Sequence, residues 1–123
     1  MKSQSIFDSE HFQVKFKDNI AILKIKIPRA TFKEADEFKE VLQSIVLTKH
    51  NKIIVDFSDC QYADSMIIGI MVNIVKPLRE KNGDIFVVTP KSSIKVMFAR
   101  TGLYKIFKQF WTEEEAIEDY SKM

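Results

Sequence analysis

Two short apolar runs, separated by a long segment that is also rich in apolar residues, constrain the fold of this chain most strongly. The runs are KIIVDF (52–57) and DIFVV (84–88), and neither alternates with polar residues. Strands buried on both faces have this pattern, and such strands belong to parallel sheets that are covered by helices. The intervening segment 65–81 is long enough for a crossover helix. The sequence therefore predicts a strand–helix–strand unit with a right-handed connection.

The two segments before this unit alternate between apolar and polar residues. HFQVKFKD (11–18) and IAILKIKI (20–27) both contain the period of two that is typical of a half-buried strand. Asp18 and Asn19 suit a tight turn between them, and Pro28 ends the second strand because proline has no amide hydrogen for the ladder. We therefore predict a hairpin at the start of the domain.

Two further segments combine helical spacing with a start signal. TFKEADEFKEVLQSIV (31–46) and TEEEAIEDY (112–120) each open on a threonine with glutamate three residues later. This spacing is that of a capping box, in which the two side chains satisfy free amides at a helix start. Both segments are therefore predicted to be helices.

The remaining segments complete the order of elements. SSIKVMFART (92–101) is predicted to be a short helix that stops at Gly102, and KIFKQF (105–110) to be a last short strand. The order is then strand, strand, helix, strand, helix, strand, helix, strand, helix. Such alternation predicts an α/β fold with a mixed, partly parallel sheet of about five strands and four helices. With 123 residues, the chain is expected to be a single domain.

The segment 65–81 is more apolar than one covered face requires. Asp64 suits the N-cap of this helix, and Pro77 is expected to kink it or to end its regular part early. The apolar arc of the helix is about twice the stripe of roughly 100° that packing on a sheet needs. One interpretation is that neighbouring helices cover the excess. The other is that a partner docks on exposed residues among Met66, Ile67, Ile70 and Ile74.

Charge, cysteine count and hydropathy restrict the classes of partner and compartment. The chain has 19 basic and 17 acidic residues, a near balance that argues against nucleic acid as a partner. Cys60 is the only cysteine, so an internal disulfide is impossible. The apolar run 66–75 is too short to span a bilayer, and the first residues lack the apolar run of a signal peptide. A cytoplasmic protein is therefore expected.

Catalytic signatures are weak in this sequence. His11, His50 and Cys60 are distant from one another along the chain. The three glycines, at 69, 83 and 102, form no phosphate-binding loop. We therefore expect no enzymatic activity, no metal site and no cofactor.

The stretch KIIVDFSDCQYADSMIIGIM (52–71) resembles the STAS family, named for sulfate transporters and anti-sigma-factor antagonists. The family pattern is an apolar strand, Asp-apolar-Ser, a short loop with an aromatic residue, and Asp-Ser at a helix start. Here these features are Asp56-Phe57-Ser58, Tyr62 and Asp64-Ser65, followed by Gly69. FARTGLYKIF (98–107) is similar to the second half of the family. The resemblance covers about residues 12–118, and it implies a single STAS-like domain for residues 1–123.

The resemblance also implies a function. In bacterial anti-sigma-factor antagonists the serine after that aspartate is phosphorylated, which implies Ser65 as the phosphorylation site. The implied partners are a kinase-like anti-sigma factor and a phosphatase, and the implied role is partner switching in transcription regulation. Together with the apolar arc of segment 65–81, this predicts a partner surface that comprises Asp64, Ser65, Met66, Ile67, Ile70 and Ile74. Thr31, Met66 and Ile67 stand where the family often has an acid, a second hydroxyl and a glycine.

Two other functions are compatible with the same residues. A STAS domain can serve as a subunit without phosphorylation that scaffolds a signalling or lipid-transport complex. Alternatively, the apolar arc of segment 65–81 could form the wall of a site for a small ligand or a lipid.

Overall fold

The computed structural model describes residues 9–90 and 92–123, and the expectation about a signal peptide falls partly outside these residues. In chain order the elements are β1 (Phe12–Lys17), β2 (Ile20–Ile25), β3 (Arg29–Ala30), α1 (Ala35–Leu47), β4 (Lys52–Asp56), β5 (Tyr62–Ala63), α2 (Ser65–Glu80), β6 (Asp84–Val88), α3 (Ser92–Thr101), β7 (Lys108–Phe110) and α4 (Glu113–Tyr120). Short 3-10 turns at Phe32–Glu34 and Leu103–Lys105 precede α1 and β7. The predicted number and order of the four helices are confirmed.

A five-stranded mixed sheet with the order β1-β2-β4-β6-β7 forms the centre of the domain. β1 and β2 are antiparallel, with Phe12 opposite Ile25, and they form the predicted hairpin. The other three pairs are parallel, as the uninterrupted apolar runs of β4 and β6 require. The predicted α/β class and the mixed, partly parallel sheet are therefore confirmed.

The two faces of the sheet are covered unequally. The broad face, which we define as the side covered by α1, α2 and α3, contains the larger core, with Ile53 and Val55 of β4 at its centre. The narrow face, which we define as the side covered by α4, contains Ile54 of β4 and a smaller core. Alternate residues of β4 point to opposite faces because side chains alternate along a strand. Both faces of β4 are therefore buried from water, which explains its continuous apolar pattern.

β3 and β5 form a second, two-residue parallel pair beside the main sheet, and the sequence did not predict it. Arg29 pairs with Tyr62 and Ala30 with Ala63. Two residues are too few to show a periodicity. This pair nevertheless matters for the functional site, because it joins the segment before α1 to the segment before α2.

The helix α2 continues through Pro77 to Glu80, so the expectation that Pro77 ends its regular part early is wrong. Proline removes the hydrogen bond to the carbonyl four residues earlier, which belongs to Asn73. Both Asn73 and Pro77 are exposed, so water can hydrate the carbonyl that Pro77 leaves without a donor. The helix therefore tolerates proline at this position.

Candidate functional site

Ser65 is the first residue of α2 and lies directly after the predicted N-cap. Asp64 has an extended backbone, and its Oδ1 atom accepts hydrogen bonds from the amides of Met66 at 3.0 Å and Ile67 at 3.3 Å. These bonds satisfy amides that have no partner inside the helix. The prediction of Asp64 as N-cap is therefore confirmed, and the cap fixes the position of the Ser65 backbone.

The second carboxylate oxygen of Asp64 ties α2 to a distant segment. Its Oδ2 atom accepts a hydrogen bond of 2.8 Å from the amide of Phe32. The amide of Asp64 in turn donates to the carbonyl of Ala30 at 3.1 Å. Together with the β3–β5 pair, these bonds place the segment before α1 beside the start of α2. No local sequence signal indicates this contact, because the two residues are separated by 32 positions.

Thr31, where the family often has an acid, has a structural role here. Its Oγ1 atom accepts from the amide of Lys33 at 3.3 Å, and its own amide donates to Glu34 at 2.9 Å. The predicted capping box is thus present, although it caps the 3-10 turn that leads into α1. The acidic residue of this turn is Glu34 instead of residue 31, and its carboxylate is bound to the Thr31 amide within the turn.

The surface around Ser65 combines an exposed hydroxyl with exposed apolar side chains. Ser65 is exposed, and the exposed fractions are 54% for Met66, 67% for Phe32 and 41% for Tyr62. The Arg29 guanidinium lies 4.4 Å from the centre of the Tyr62 ring, a cation–π contact. We call these residues around Ser65 the Ser65 surface: Arg29, Phe32, Tyr62, Ser65 and Met66.

The expected docking residues of α2 differ in burial, and the expectation that Ile67 faces solvent is wrong. Ile67 is completely buried, because at 100° per residue it shares a stripe with Met71 and Leu78, which face the core. Ile70 and Ile74 are half-buried and pack against the same core. Neighbouring elements therefore cover much of the apolar arc, and Met66 is its most exposed large residue.

A carboxyl pair of buried Asp56 and half-buried Glu113 lies at the carboxyl end of β4, toward the narrow face. Asp56 is 2% exposed, and its Oδ1 atom accepts from the amide of Ser58 at 2.8 Å and from the Ser58 hydroxyl. A hydrogen bond to Asp56, together with burial, raises the pKa of Glu113 above its ordinary value, and Lys15 at 3.0 Å opposes this shift. The pair borders a cavity of about 300 Å³.

Sequence reasoning missed this pair, because Asp56 and Glu113 are far apart along the chain. Asp56 belongs to the Asp-apolar-Ser motif and Glu113 to the acidic first turn of α4. Parallel β4 and β7 end at the same edge of the sheet, which brings the two segments together. The predicted parallel sheet could have indicated this proximity, because residues that follow parallel strands meet at the same edge.

The residues considered for catalysis have structural partners. His11 Nδ1 lies 2.8 Å from Glu37, His50 Nδ1 lies 2.6 Å from the Thr48 hydroxyl, and Cys60 is buried, which raises the pKa of its thiol. Within residues 9–90 and 92–123, no group of three or more His, Cys, Asp or Glu side chains is arranged to hold a metal ion. In the same residues no helix has the length and hydropathy needed to cross a membrane.

Comparison with known proteins gives a consistent result. The STAS domain model matches residues 11–116. A Thermotoga maritima protein named as a candidate anti-sigma factor antagonist is 30% identical over 109 residues, which cover 88% of this chain and 96% of that protein. A crystal structure of a candidate anti-sigma factor antagonist from that organism has a TM-score of 0.78 at 30% identity, covering 88% of this chain and 92% of its own.

The phosphorylated form of the Bacillus cell fate determinant SpoIIAA has the same fold. Its TM-score is 0.68 at 18% identity, and the match covers 89% of this chain and 98% of that structure. The family model, which covers most of the chain, and the relative at 30% identity together show that this chain belongs to the STAS domain family.

Proposed function

We propose that this protein is an anti-sigma-factor antagonist that binds a kinase-like anti-sigma factor through the Ser65 surface and is released when Ser65 is phosphorylated. The observation that carries the proposal is the exposed position of Ser65 at a capped helix start, beside Met66 and Phe32. The name of the Thermotoga maritima relative supports the same class of function.

The fold can accept a phosphate on Ser65. A phosphoserine carries a charge of about −1.5 to −2 near pH 7. The positive end of the α2 dipole lies at Ser65, and a negative charge there is favourable by a few tenths to about 1 kcal/mol. Asp64 lies next to the phosphate and repels it, so the two effects partly cancel. Because Ser65 is exposed, water screens both effects, and the domain remains folded.

The same charge prevents docking. In the unmodified protein, Met66 and Phe32 offer apolar area that a partner can cover. A phosphate at the centre of that contact would have to lose its water next to the Asp64 carboxylate, while the Arg29 guanidinium of the same surface already lies against the Tyr62 ring. An uncompensated buried charge costs several kcal/mol, and about 3 kcal/mol already weakens affinity by more than a hundredfold.

The proposal includes a reset step and a compartment. A phosphatase must remove the phosphate, since a phosphoserine ester does not hydrolyse on the timescale of regulation without a catalyst. We propose the cytoplasm as the compartment, since the phosphorylation step consumes ATP. The protein itself is a substrate and a binding partner in this cycle and contributes no catalytic group.

Mass spectrometry of the full-length chain recovered from its source cells tests the phosphorylation step. We expect a single phosphate that maps to Ser65 and that disappears in Ser65→Ala. The matched control is Ser93→Ala, because Ser93 is also an exposed serine near the start of a helix. Absence of phosphate on Ser65 in cells grown with the sigma pathway both active and inactive would contradict the proposal.

Affinity measurement tests the docking step. The probe is the kinase-like protein encoded in the source genome that phosphorylates the purified chain in vitro. We expect it to bind unmodified protein at least about a hundredfold more tightly than protein phosphorylated on Ser65. Met66→Lys should weaken binding to the unmodified protein, whereas Val96→Lys, an exposed apolar position on α3, should not. Equal affinity for both phosphorylation states would exclude the charge switch.

A further inference from the structure

An apolar groove lies between the end of α1 and the second half of α2, away from the Ser65 surface. It has a volume of about 650 Å³. The apolar part of its lining comes from Val46, Leu47, Ile74, Pro77 and Leu78. Leu47 is 82% exposed and forms one lip of the groove. Leu78 is buried at its base.

Hydrogen bonds fix the polar end of this groove. The side-chain amide of Asn51 donates to the carbonyl of Lys81 at 3.0 Å, which links the segment after α1 to the end of α2. The Asn51 carbonyl accepts from the amide of Asp84 at 2.9 Å. A Cβ atom at Gly83 would lie 2.0 Å from that carbonyl oxygen, so the chain can approach this closely only with glycine. The walls are therefore formed before any ligand binds, which lowers the entropy cost of binding.

The charges at the rim have one sign. Lys49 and Lys81 line the groove together with His50. Among the described residues no aspartate or glutamate lines it. Two contacts hold His50 in place. Its Nδ1 atom contacts the Thr48 hydroxyl, and its ring packs against the Phe16 ring, with the ring centres 4.5 Å apart. An apolar lining with two lysines at its edge complements a ligand that has an apolar body and an anionic end.

The size of the groove favours a small molecule over a partner helix. Small-molecule sites have volumes of about 300–1,000 Å³, and this groove lies in the middle of that range. A helix of about 10 Å diameter would fill 650 Å³ with about one and a half turns. Helices that dock in grooves place their anchoring side chains over about two turns or more. The groove is therefore too short for a docked helix.

We propose that this groove binds a free, single-chain anionic amphiphile of the fatty-acid class. The alkyl chain lies against Ile74 and Leu78, and the carboxylate lies near Lys49 and Lys81. The site is independent of the proposed phosphorylation switch. Ser65 is the first residue of α2 and Lys81 follows its last, and the 16 residues of the helix span about 24 Å.

Titration of the ¹⁵N-labelled full-length chain with sodium dodecanoate, kept below its micelle concentration, tests the proposal. We expect saturable chemical-shift changes confined to residues 43–51 and 73–81. Dodecyltrimethylammonium has an alkyl chain of nearly the same length and the opposite charge. We expect it to bind at least about tenfold more weakly, because it loses attraction to two lysines and gains repulsion from them.

Two variants and one matched control locate the site. Leu47→Glu should weaken dodecanoate binding about tenfold or more, and the exposed position of Leu47 means that the fold is not at risk. Val96→Glu makes the same kind of change at an exposed apolar residue of α3 and should leave binding unchanged. The double variant Lys49→Glu, Lys81→Glu should remove the preference for the anionic ligand.

Three outcomes would overturn the proposal. The first is the absence of saturable shifts with dodecanoate, and the second is equal affinity for the anionic and cationic amphiphiles. The third is sedimentation of the protein with vesicles of phosphatidylcholine and phosphatidylglycerol while monomeric dodecanoate does not bind. That third result would show that the lysines attract a membrane surface instead of a free ligand.

Discussion

The broad and narrow faces of the sheet are held by different forces. On the broad face, three helices bury an extensive apolar core, and the start of α2 lies at its edge. On the narrow face, α4 is the only helix among the described residues that covers the sheet, and hydrogen bonds of Tyr120 fasten it. The Tyr120 hydroxyl lies 2.7 Å from the carbonyl oxygen of Ile53 and 2.8 Å from that of Asp84, and it accepts from the Ile53 amide.

This difference determines how each face responds to change. Apolar contacts are non-directional and carry no titrating group, so on the broad face they hold the body of α2, while the Asp64 cap fixes its first turn. The narrow face depends on individual hydrogen bonds and on the Asp56–Glu113 carboxyl pair, so single substitutions and pH affect it directly. The proposed phosphorylation site, Ser65, is the first residue of α2 and lies at the edge of the broad face.

The largest expected effect comes from a charge on the buried stripe of α2. Ile67→Lys should lower the free energy of unfolding by more than about 3 kcal/mol, because it buries an ammonium group without a partner. Met66→Lys, one residue earlier and 54% exposed, is the control and should change it little. Urea unfolding measures both. If both variants lose similar free energy of unfolding, Ile67 is not buried against the broad face and the prediction is wrong.

Tyr120→Phe should have the next largest effect, on the narrow face. It removes a buried hydroxyl and leaves the Ile53 amide and two carbonyls short of a partner, at a cost of about 1–3 kcal/mol. The stacking of the ring on Phe86, with centroids 3.8 Å apart, is retained. Tyr104→Phe, at an exposed tyrosine, is the control for thermal melts. Equal melting temperatures for the two variants would show that the hydroxyl does not fasten α4.

Glu113→Gln should have a smaller, pH-dependent effect. The pKa of Glu113 is raised above its ordinary 4.5, so the folded state holds this proton more tightly than the unfolded state. Stability of the natural protein therefore falls as pH rises from about 4.5 through the raised pKa. Glutamine cannot ionise and can still donate to Asp56, so the variant should lose this decline and be the more stable protein at neutral pH.

Melting temperatures of the natural protein and of Glu113→Gln, measured between pH 4 and 8, test this prediction. Glu114→Gln is the control, because Glu114 is the exposed neighbour of Glu113 on α4. The prediction fails if both variants follow the pH profile of the natural protein, or if Glu113→Gln is destabilised at neutral pH.

Ser65→Asp should have the smallest effect on stability, within about 0.5 kcal/mol of Ser65→Ala. The position is exposed, and the helix dipole and Asp64 act on the new charge in opposite directions. Chemical unfolding of both variants measures the difference. If Ser65→Asp alone lowers the free energy of unfolding by more than about 1 kcal/mol, a negative charge at this position destabilises the fold and the prediction is wrong.

Local signals explain which features the sequence predicted. The hairpin, the Asp64 cap and the stop at Gly102 each depend on neighbouring residues, and the structure contains all three. The second capping box was predicted in full, but the structure contains only half of it. Thr112 accepts from the Glu115 amide as expected, but Glu115 reaches the amide of Trp111 instead of Thr112.

Long-range contacts explain what the sequence did not predict. Asp64 meets Phe32, and Asp56 meets Glu113, only because the sheet brings distant segments to one edge. The burial of Ile67 depends on which side of α2 faces the sheet, and an apolar arc this wide leaves that rotation undetermined. The proposed role of Ser65 came from the resemblance and stays a prediction.

The bond between Asp64 and Phe32 also has a consequence for the order of folding. It closes a loop of 32 residues that contains α1 and β4, whereas the bond to Met66 spans two. Long loops cost more entropy to close, and contacts between distant residues form later. Pulsed hydrogen exchange should therefore protect the Met66 amide before the Phe32 amide. A kinase that recognises both segments would then act only on chains that have finished folding.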